Sequence, residues 1–289
     1  MNIVLVCINN FQEYILDNIE LLSSLNHENI YVLTNNIFFE KFDKYKVQLI
    51  DIDELQDSHE FYSKSTLNKD FREGFWTLTS LRFFYIYEFM NLYNVANVIH
   101  IENDVLLYYN CDTIAKHFDN NKMYIPFDSY GRNIASIMYI PSSDIFKIIL
   151  DNYDFSKNDM ENFKSIKDTT GLIEHFPIFN KDDDQDNCEI SFVSKNFNRF
   201  QYIFDAAAIG QFLGGIDARN TDDGNICVGF INETCVVKYN EYTISWSNTT
   251  DNIMKPFIQI GDITIPIFNL HVHCKNLKKF ITHTETITI

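Results

Sequence analysis

Residues 97–107, Asn-Val-Ile-His-Ile-Glu-Asn-Asp-Val-Leu-Leu, constrain this chain more than any other stretch. Val98, Ile99 and Ile101 form a short apolar run of the kind that fills a strand covered on both faces of a sheet. The run breaks at Glu102-Asn103-Asp104 and resumes with Val105, Leu106 and Leu107. Carboxylates at the end of a buried strand are costly unless something positive meets them. In extended backbone Glu102 and Asp104 fall on the same side, because side chains alternate along a strand. Two oxygen ligands on one side suit a hard divalent cation such as Mg2+ or Mn2+, which in turn suits a diphosphate. The blander explanation is chance, since the chain has 40 acidic residues and similar triplets recur at Asp51-Ile52-Asp53 and within residues 182–186. What sets Glu102-Asn103-Asp104 apart is the buried run in front of it.

The surrounding pattern is that of an α/β chain. Residues 3–8 read as a strand ending at Asn9-Asn10, residues 12–25 as a helix, and residues 29–34 and 47–52 as two more strands. Strand, helix, strand opens a parallel sheet with right-handed crossovers. In such sheets ligands bind beyond the carboxyl ends of the strands, where Asn9 and Asp53 are candidates for a base or ribose. Asn and Asp are also ordinary turn formers, which is the simpler explanation for each alone. No Gly-x-Gly-x-x-Gly and no Walker-type run is present, so the dinucleotide and P-loop readings lose their main signature.

Residues 71–93 are apolar nearly all round, as in a helix buried on most sides, yet contain Arg82. A buried guanidinium wants a carboxylate such as Glu88, or a phosphate. Residues 123–127 and 134–140 read as strands, with a helix through 145–150 after Pro141. Residues 152–168 read as a charged surface helix or loop, and residues 176–188 as an exposed acidic loop with Asp182, Asp183, Asp184 and Asp186. Asp205 is placed to cap a helix whose Ala206, Ala207 and Ala208 permit close packing, and Gly214-Gly215 ends it. Asp217 and Arg219 begin a loop. Residues 226–230, 235–239 and 242–246 alternate like strands of an antiparallel region. In residues 268–276, extended backbone would put His271, His273 and Lys275 on one side.

The net charge of −17 and pI near 4.7 argue against an electrostatic hold on nucleic acid or an anionic membrane. The six cysteines contain no Cys-x-x-Cys pair, which disfavours zinc-ribbon and thiol–disulfide chemistry. The first residues lack a basic n-region and read as a strand, and no apolar stretch is long enough for a membrane span. A soluble, cytoplasmic protein is expected.

The acidic-x-Asp turn after a central strand, with a late His and Lys, resembles the GT-A glycosyltransferases. Their usual triplet is Asp-x-Asp, of which Glu102-Asn103-Asp104 is a variant. His100-Ile-Glu102-Asn-Asp104, Phe204-Asp205 with Gly210-Gln211 and Gly214-Gly215, and His271-Val-His273 look like a group of glycosyltransferase-like proteins from viruses and bacteria. A viral member would act in the host cytoplasm. The resemblance implies one GT-A domain over residues 1–289, a Rossmann-like mixed sheet flanked by helices with an antiparallel acceptor-side region. Residues 1–108 would be its donor half and residues 109–289 its acceptor half. It implies metal-dependent transfer of a sugar, hexosyl in type, from a nucleotide sugar to a hydroxyl of a sugar, glycan or protein, with a UDP-sugar as the expected donor. It also implies a metal held by Glu102, Asp104 and a C-terminal histidine, with His273 preferred to His271 because it is nearer Lys275. Lys275 would meet the donor diphosphate, Asn103 and Arg82 would lie beside it, and the stretch from Gln211 to Asp217 would line the sugar and acceptor pocket. Asp217 or Asp205 would supply an acceptor base if the reaction inverts. The competing readings are a metal-dependent phosphohydrolase or nucleotidyltransferase, and a non-catalytic sugar- or nucleotide-binding protein of the same fold.

Overall fold

The computed structural model describes residues 1–181, 187–221, 224–248 and 253–281. From the N-terminus, β1 (Asn2–Cys7), α1 (Tyr14–Ser24), β2 (Asn29–Thr34) and β3 (Gln48–Asp51) alternate. A one-turn α2 (Phe61–Lys64) precedes the long α3 (Phe75–Leu92), which leads into β4 (Val98–Ile101) and β5 (Val105–Leu107). β6 (Met123–Pro126), β7 (Ile137–Ile140), α4 (Ser143–Asp151), α5 (Asp159–Thr170) and β8 (Ile173–Phe176) come after them. Next are α6 (Cys188–Val193), α7 (Phe197–Phe200), β9 (Ile203–Phe204) and α8 (Ala208–Gly214). The described chain ends with β10 (Thr243–Asn248), β11 (Met254–Ile260), β12 (Ile263–His271) and α9 (Lys278–Ile281).

Two sheets result. The larger runs β3-β2-β1-β4-β7-β6-β8, parallel from β3 to β4 and again between β6 and β8, with β7 antiparallel to both its neighbours. The α/β class expected from the sequence, a mixed sheet flanked by helices, is what the chain adopts. Strand order reverses between β1 and β4, and in open α/β sheets ligands bind at the carboxyl ends of the strands flanking such a reversal. The second sheet, β10-β11-β12-β5, is antiparallel and gains β9 beside β12. β5 begins four residues after β4 ends, so a single turn passes the chain from one sheet to the other. That turn is Glu102-Asn103-Asp104.

Every residue of β4 is buried, as its apolar run requires, and α3 buries both faces of its aromatic surface against the sheet and α4. α5 is a helix capped by the Asn158 side chain on the Glu161 amide at 3.1 Å, with Phe163 and Ile166 inside the core.

Three expectations need correction. Residues 226–230 and 235–239 form no strands; Ile226 and Val228 are exposed, while Cys235 and Val237 are buried in loop backbone. In residues 235–239 the alternation reflects side chains taking turns into the core, whereas residues 226–229 are all exposed; the ladder goes to β10, β11 and β12. The loop is instead tied by single bonds, Gly229 N–H to Phe212 O at 2.9 Å and Val236 N–H to Asp128 O at 2.9 Å. The segment from residue 176 is not exposed at its start, since Phe176, Ile178 and Phe179 are buried. The acidic run Asp182, Asp183, Asp184 and Asp186 lies outside the described residues.

Candidate active site

The acidic turn is held from three directions. Val105 N–H donates to Glu102 O at 2.9 Å and closes the turn, while Glu102 N–H donates to Ser136 O beside β7 at 2.9 Å. The Asn103 side-chain amide donates to Val6 O at 2.8 Å and to Gln12 Oε1 at 2.6 Å, fastening the turn to the end of β1. From α1, buried Asn18 donates to Asn103 O at 3.1 Å and Val105 O at 2.9 Å. Asn suits both places because its side-chain amide donates two bonds, from Asn18 to two backbone carbonyls of the turn and from Asn103 to one backbone carbonyl and the Gln12 side-chain oxygen.

The histidine arrives by sheet pairing. β12 runs antiparallel to β5 with Val105 opposite His271, Leu106 opposite Leu270 and Leu107 opposite Asn269. Val272 N–H then donates to Asp104 O at 2.8 Å. His271 Nδ1 lies 2.9 Å from Ala206 O, so that nitrogen carries the proton and Nε2 faces the acids. It stands 3.1 Å from Glu102 Oε2 and 3.4 Å from Asp104 Oδ2. One ligand atom from each of Glu102, Asp104 and His271 lies within 4.8 Å of the others, the one such group of metal-type ligands among the described residues.

Two permanent cations complete the cluster. Arg82 is hydrogen-bonded to Glu102 Oε1, donates to Ala135 O at 3.3 Å and lies 3.6 Å from buried Asp159. Its partners are therefore Glu102 and Asp159; Glu88 instead accepts from the Ser58 amide at 3.0 Å. Lys275 Nζ is hydrogen-bonded to Asp104 Oδ2. Burial works against ionising Glu102, but Arg82 and then His271 hold its carboxyl well below the usual range. Asp104 is likewise kept ionised against burial by Lys275 and His271. Burial also opposes charge on His271, yet Asp104 and Glu102 push its imidazole up to about 10. The turn thus holds two ionised carboxylates inside the protein, each paired with a basic side chain. Buried Asn103 Oδ1, Gln211 Oε1 and Arg82 Nε have no hydrogen-bond partner in the protein. Two carboxylates and an imidazole suit Mn2+ or Mg2+, and the unpartnered amide oxygens suit a polar ligand nearby. The residues fit a cation.

The other expected site residues fall into two groups. His273, Gln211, Asp205 and Asp217 lie close by. The backbone does not stay extended after His271: it turns, with His273 N–H on His271 O at 3.1 Å, Lys275 N–H on Val272 O at 3.0 Å, and Lys275 at φ +59°. The turn lays the His273 ring 4.1 Å from that of His271 and sets His273 Nε2 3.3 Å from Gln211 Nε2. His271, not His273, therefore faces both carboxylates. Asp205 is wholly buried and accepts three backbone amides: Ile209 at 3.0 Å, Gly210 at 2.8 Å and His271 at 2.9 Å. The same bond pattern requires glycine at 210, where a Cβ would stand 1.9 Å from His271 O. Asp217 accepts from Arg219 Nη2 at 2.6 Å and from the Arg219 amide at 2.9 Å, with Arg72 at 3.7 Å, and the arginine lowers its carboxyl despite burial.

Asn9 and Asp53 are the second group. Asn9 N–H donates to Asn35 Oδ1 at 2.7 Å, joining the ends of β1 and β2. Asp53 is exposed after β3, three places from β4 in the sheet. Asn18, Asp159 and Arg72 were missed by the sequence reading. Nothing local marks Asn18 or Asp159, whose partners lie 85 and about 77 residues away or sit across the core; Arg72 stands in left-handed backbone at φ 47°, a strain visible only in three dimensions.

No protein-family model matches this sequence, and no curated protein is detectably similar to it. The solved structures to which the chain is similar include three glycosyltransferases. One is the galactosyltransferase LgtC in complex with donor and acceptor sugar analogues (TM-score 0.42, 15% identity, 61% of this chain and 73% of that one). Another is apo mouse xyloside xylosyltransferase 1 (TM-score 0.42, 11% identity, 61% of this chain and 84% of that one). The third is GlyE of Streptococcus pneumoniae (TM-score 0.40, 14% identity, 61% of this chain and 44% of that one). Likeness at this level bears no functional argument, which falls instead to the residues of the acidic turn. No helix among the described residues is long and apolar enough to cross a membrane.

Proposed function

We propose that this chain is a nucleotide-sugar-dependent glycosyltransferase using Mn2+ or Mg2+, with a UDP-sugar as donor and a hydroxyl as acceptor. The observation behind the reading is the convergence of Glu102, Asp104 and His271 on one point, with Lys275 beside them, at the reversal of strand order. When bound there, the cation supplies Lewis-acid stabilisation to a departing diphosphate.

The protein's own groups have distinct tasks in this proposal. Glu102, Asp104 and His271 hold the cation, with Arg82 keeping Glu102 ionised and oriented. Lys275 gives a positive charge to the diphosphate as negative charge builds up on it. Asn103 and Gln211 turn their unpartnered amide oxygens to the donor, and Asn9 and Asp53 face its nucleoside end. His273 positions Gln211. Asp205, closed off by three amides, braces His271, and Asp217 anchors Arg219; neither carboxylate is free to take the acceptor proton. Leaving-group stabilisation is then the main contribution of the site.

Thermal shift with UDP, GDP, CDP and dTDP, each with and without Mn2+, tests this directly. Metal-dependent stabilisation by one of them is expected. No stabilisation by any would sink the reading, and release of phosphate or a nucleoside monophosphate would point to a hydrolase instead.

A further inference from the structure

The acidic cradle is met by three basic side chains of the chain itself, Arg82, His271 and Lys275, and they are not held alike. Arg82 is buried, hydrogen-bonded to Glu102 and Ala135 O, and ion-paired with Asp159 at 3.6 Å. His271 is locked at both ends, its amide on Asp205 and its Nδ1 on Ala206 O. Lys275 differs. Its side chain is 26% exposed, it stands on a turn in left-handed backbone, and Asp104 is its ion-pair partner. Its stem passes Tyr14, with Nζ 5.8 Å from the ring centroid. It also bonds the very oxygen, Asp104 Oδ2, that faces His271 Nε2. A flexible four-carbon stem ending in a compact charge can leave such a place, whereas a forked, buried guanidinium cannot.

We propose that Lys275 is a stand-in for the cation. Its ammonium occupies the Asp104 oxygen that the cation needs, and keeps the buried carboxylate paired until the cation enters. Entry of the cation displaces the ammonium from Asp104 and frees it for the donor diphosphate, so cation and donor bind in that order. The inference rests on the metal-dependent reading of the site and adds to it a competition between two cations for one oxygen.

Competition gives the lysine opposite effects on the two ligands, and that is measurable without turnover. Mn2+ binding is followed by electron paramagnetic resonance on the full chain, wild type against Lys275→Met and Lys275→Arg. Lys275→Met should bind Mn2+ several-fold more tightly than wild type, yet bind the stabilising nucleoside diphosphate more weakly in the presence of Mn2+. Lys275→Arg keeps the charge but can fork onto Asp104 through two N–H groups, so it should bind Mn2+ several-fold more weakly. Simple repulsion at a distance predicts no change for Lys275→Arg. Mn2+ affinity that is equal or weaker in Lys275→Met overturns the proposal while leaving the metal site standing. Should Lys275→Met not fold, unchanged Mn2+ affinity in Lys275→Arg overturns it alone. Absence of Mn2+ binding to wild type would instead remove the site reading itself.

Discussion

The backbone amide of His271 donates to the carboxylate of Asp205 at 2.9 Å, across 66 residues of sequence. The same carboxylate takes the Ile209 and Gly210 amides, so one buried side chain joins the start of α8 to the end of β12. Asp205→Ala leaves three buried N–H groups without an acceptor, and should cost about 3 kcal/mol at roughly 1 kcal/mol or more for each. Melting should fall clearly, Mn2+ binding should weaken as His271 loosens, and Asp205→Asn should lie between Asp205→Ala and wild type. Wild-type melting in Asp205→Ala would show that the amides find other partners.

Gly210 is where α8 touches that same strand. A Cβ there would stand 1.9 Å from His271 O and 2.6 Å from His271 C, and both are backbone atoms that cannot rotate aside. Gly210→Ala should therefore push β12 away from α8, at a cost of about 1–3 kcal/mol or more typical of overpacking. Gly131→Ala is the control, because nothing lies within 4 Å of its Cβ position. Equal melting of the two variants would mean that the close approach of α8 to β12 is not part of the fold.

Arg82 joins two carboxylates, half-buried Glu102 and buried Asp159. Burial raises Asp159 to about 6 even though Arg82 opposes the shift. Arg82→Met removes the cation and leaves Glu102 with Asp159, a change that costs about 3–5 kcal/mol when one partner of a buried pair is lost. Adding Asp159→Asn removes one of the stranded charges, so the double variant should melt above Arg82→Met alone. If the two losses simply add, Arg82 and Asp159 are not coupled.

How far this was legible in the sequence depends on the range of the interactions. β1, α1, β2, β3, α3 and β4 announce themselves through local period and apolar content, which near neighbours decide. Glu102 and Asp104 were visible because a buried run stops at them. The choice between His271 and His273 was not visible, because it depends on the register Val105 opposite His271 and on the turn that begins at Val272. Extended backbone would have put both histidines on one side, and the chain bends before it can. Asp159 reaches Arg82 from a helix that reads as surface, and Asn18 reaches the acidic turn from a helix face that reads as core. Residues 226–230 and 235–239 mislead in different ways: 235–239 alternates in burial without joining a ladder, while residues 226–229 are all exposed.

The acid limb of stability should be set first by buried histidines. Burial is the main cause at both His175 and His27: it lowers His175 to about 3, aided by Lys167 and Lys195, and His27 to about 4, although Asp112 pulls the other way. The unfolded chain protonates its imidazoles near 6.5, above the folded values, so it takes up protons first as pH falls. The contribution of these two histidines is therefore complete above about pH 6.5 and is lost as pH drops from there towards about 4 and then 3. Glu174 contributes in a lower window. Burial opposes its ionisation, but Lys195 and Lys122 hold it down to about 2, so its contribution is present above about 4.5 and is lost as pH falls towards 2. Melting temperature against pH should show the first decline beginning near 6.5. His175 stacks on Phe127 at 4.6 Å and meets Phe192 edge-on at 4.4 Å, so His175→Phe keeps the aromatic packing and removes the proton site. That variant and His27→Gln should both show a shallower decline between about pH 6.5 and 4.5, and Glu174→Gln should not. The same slope in all three as in wild type would assign the acid limb to other groups.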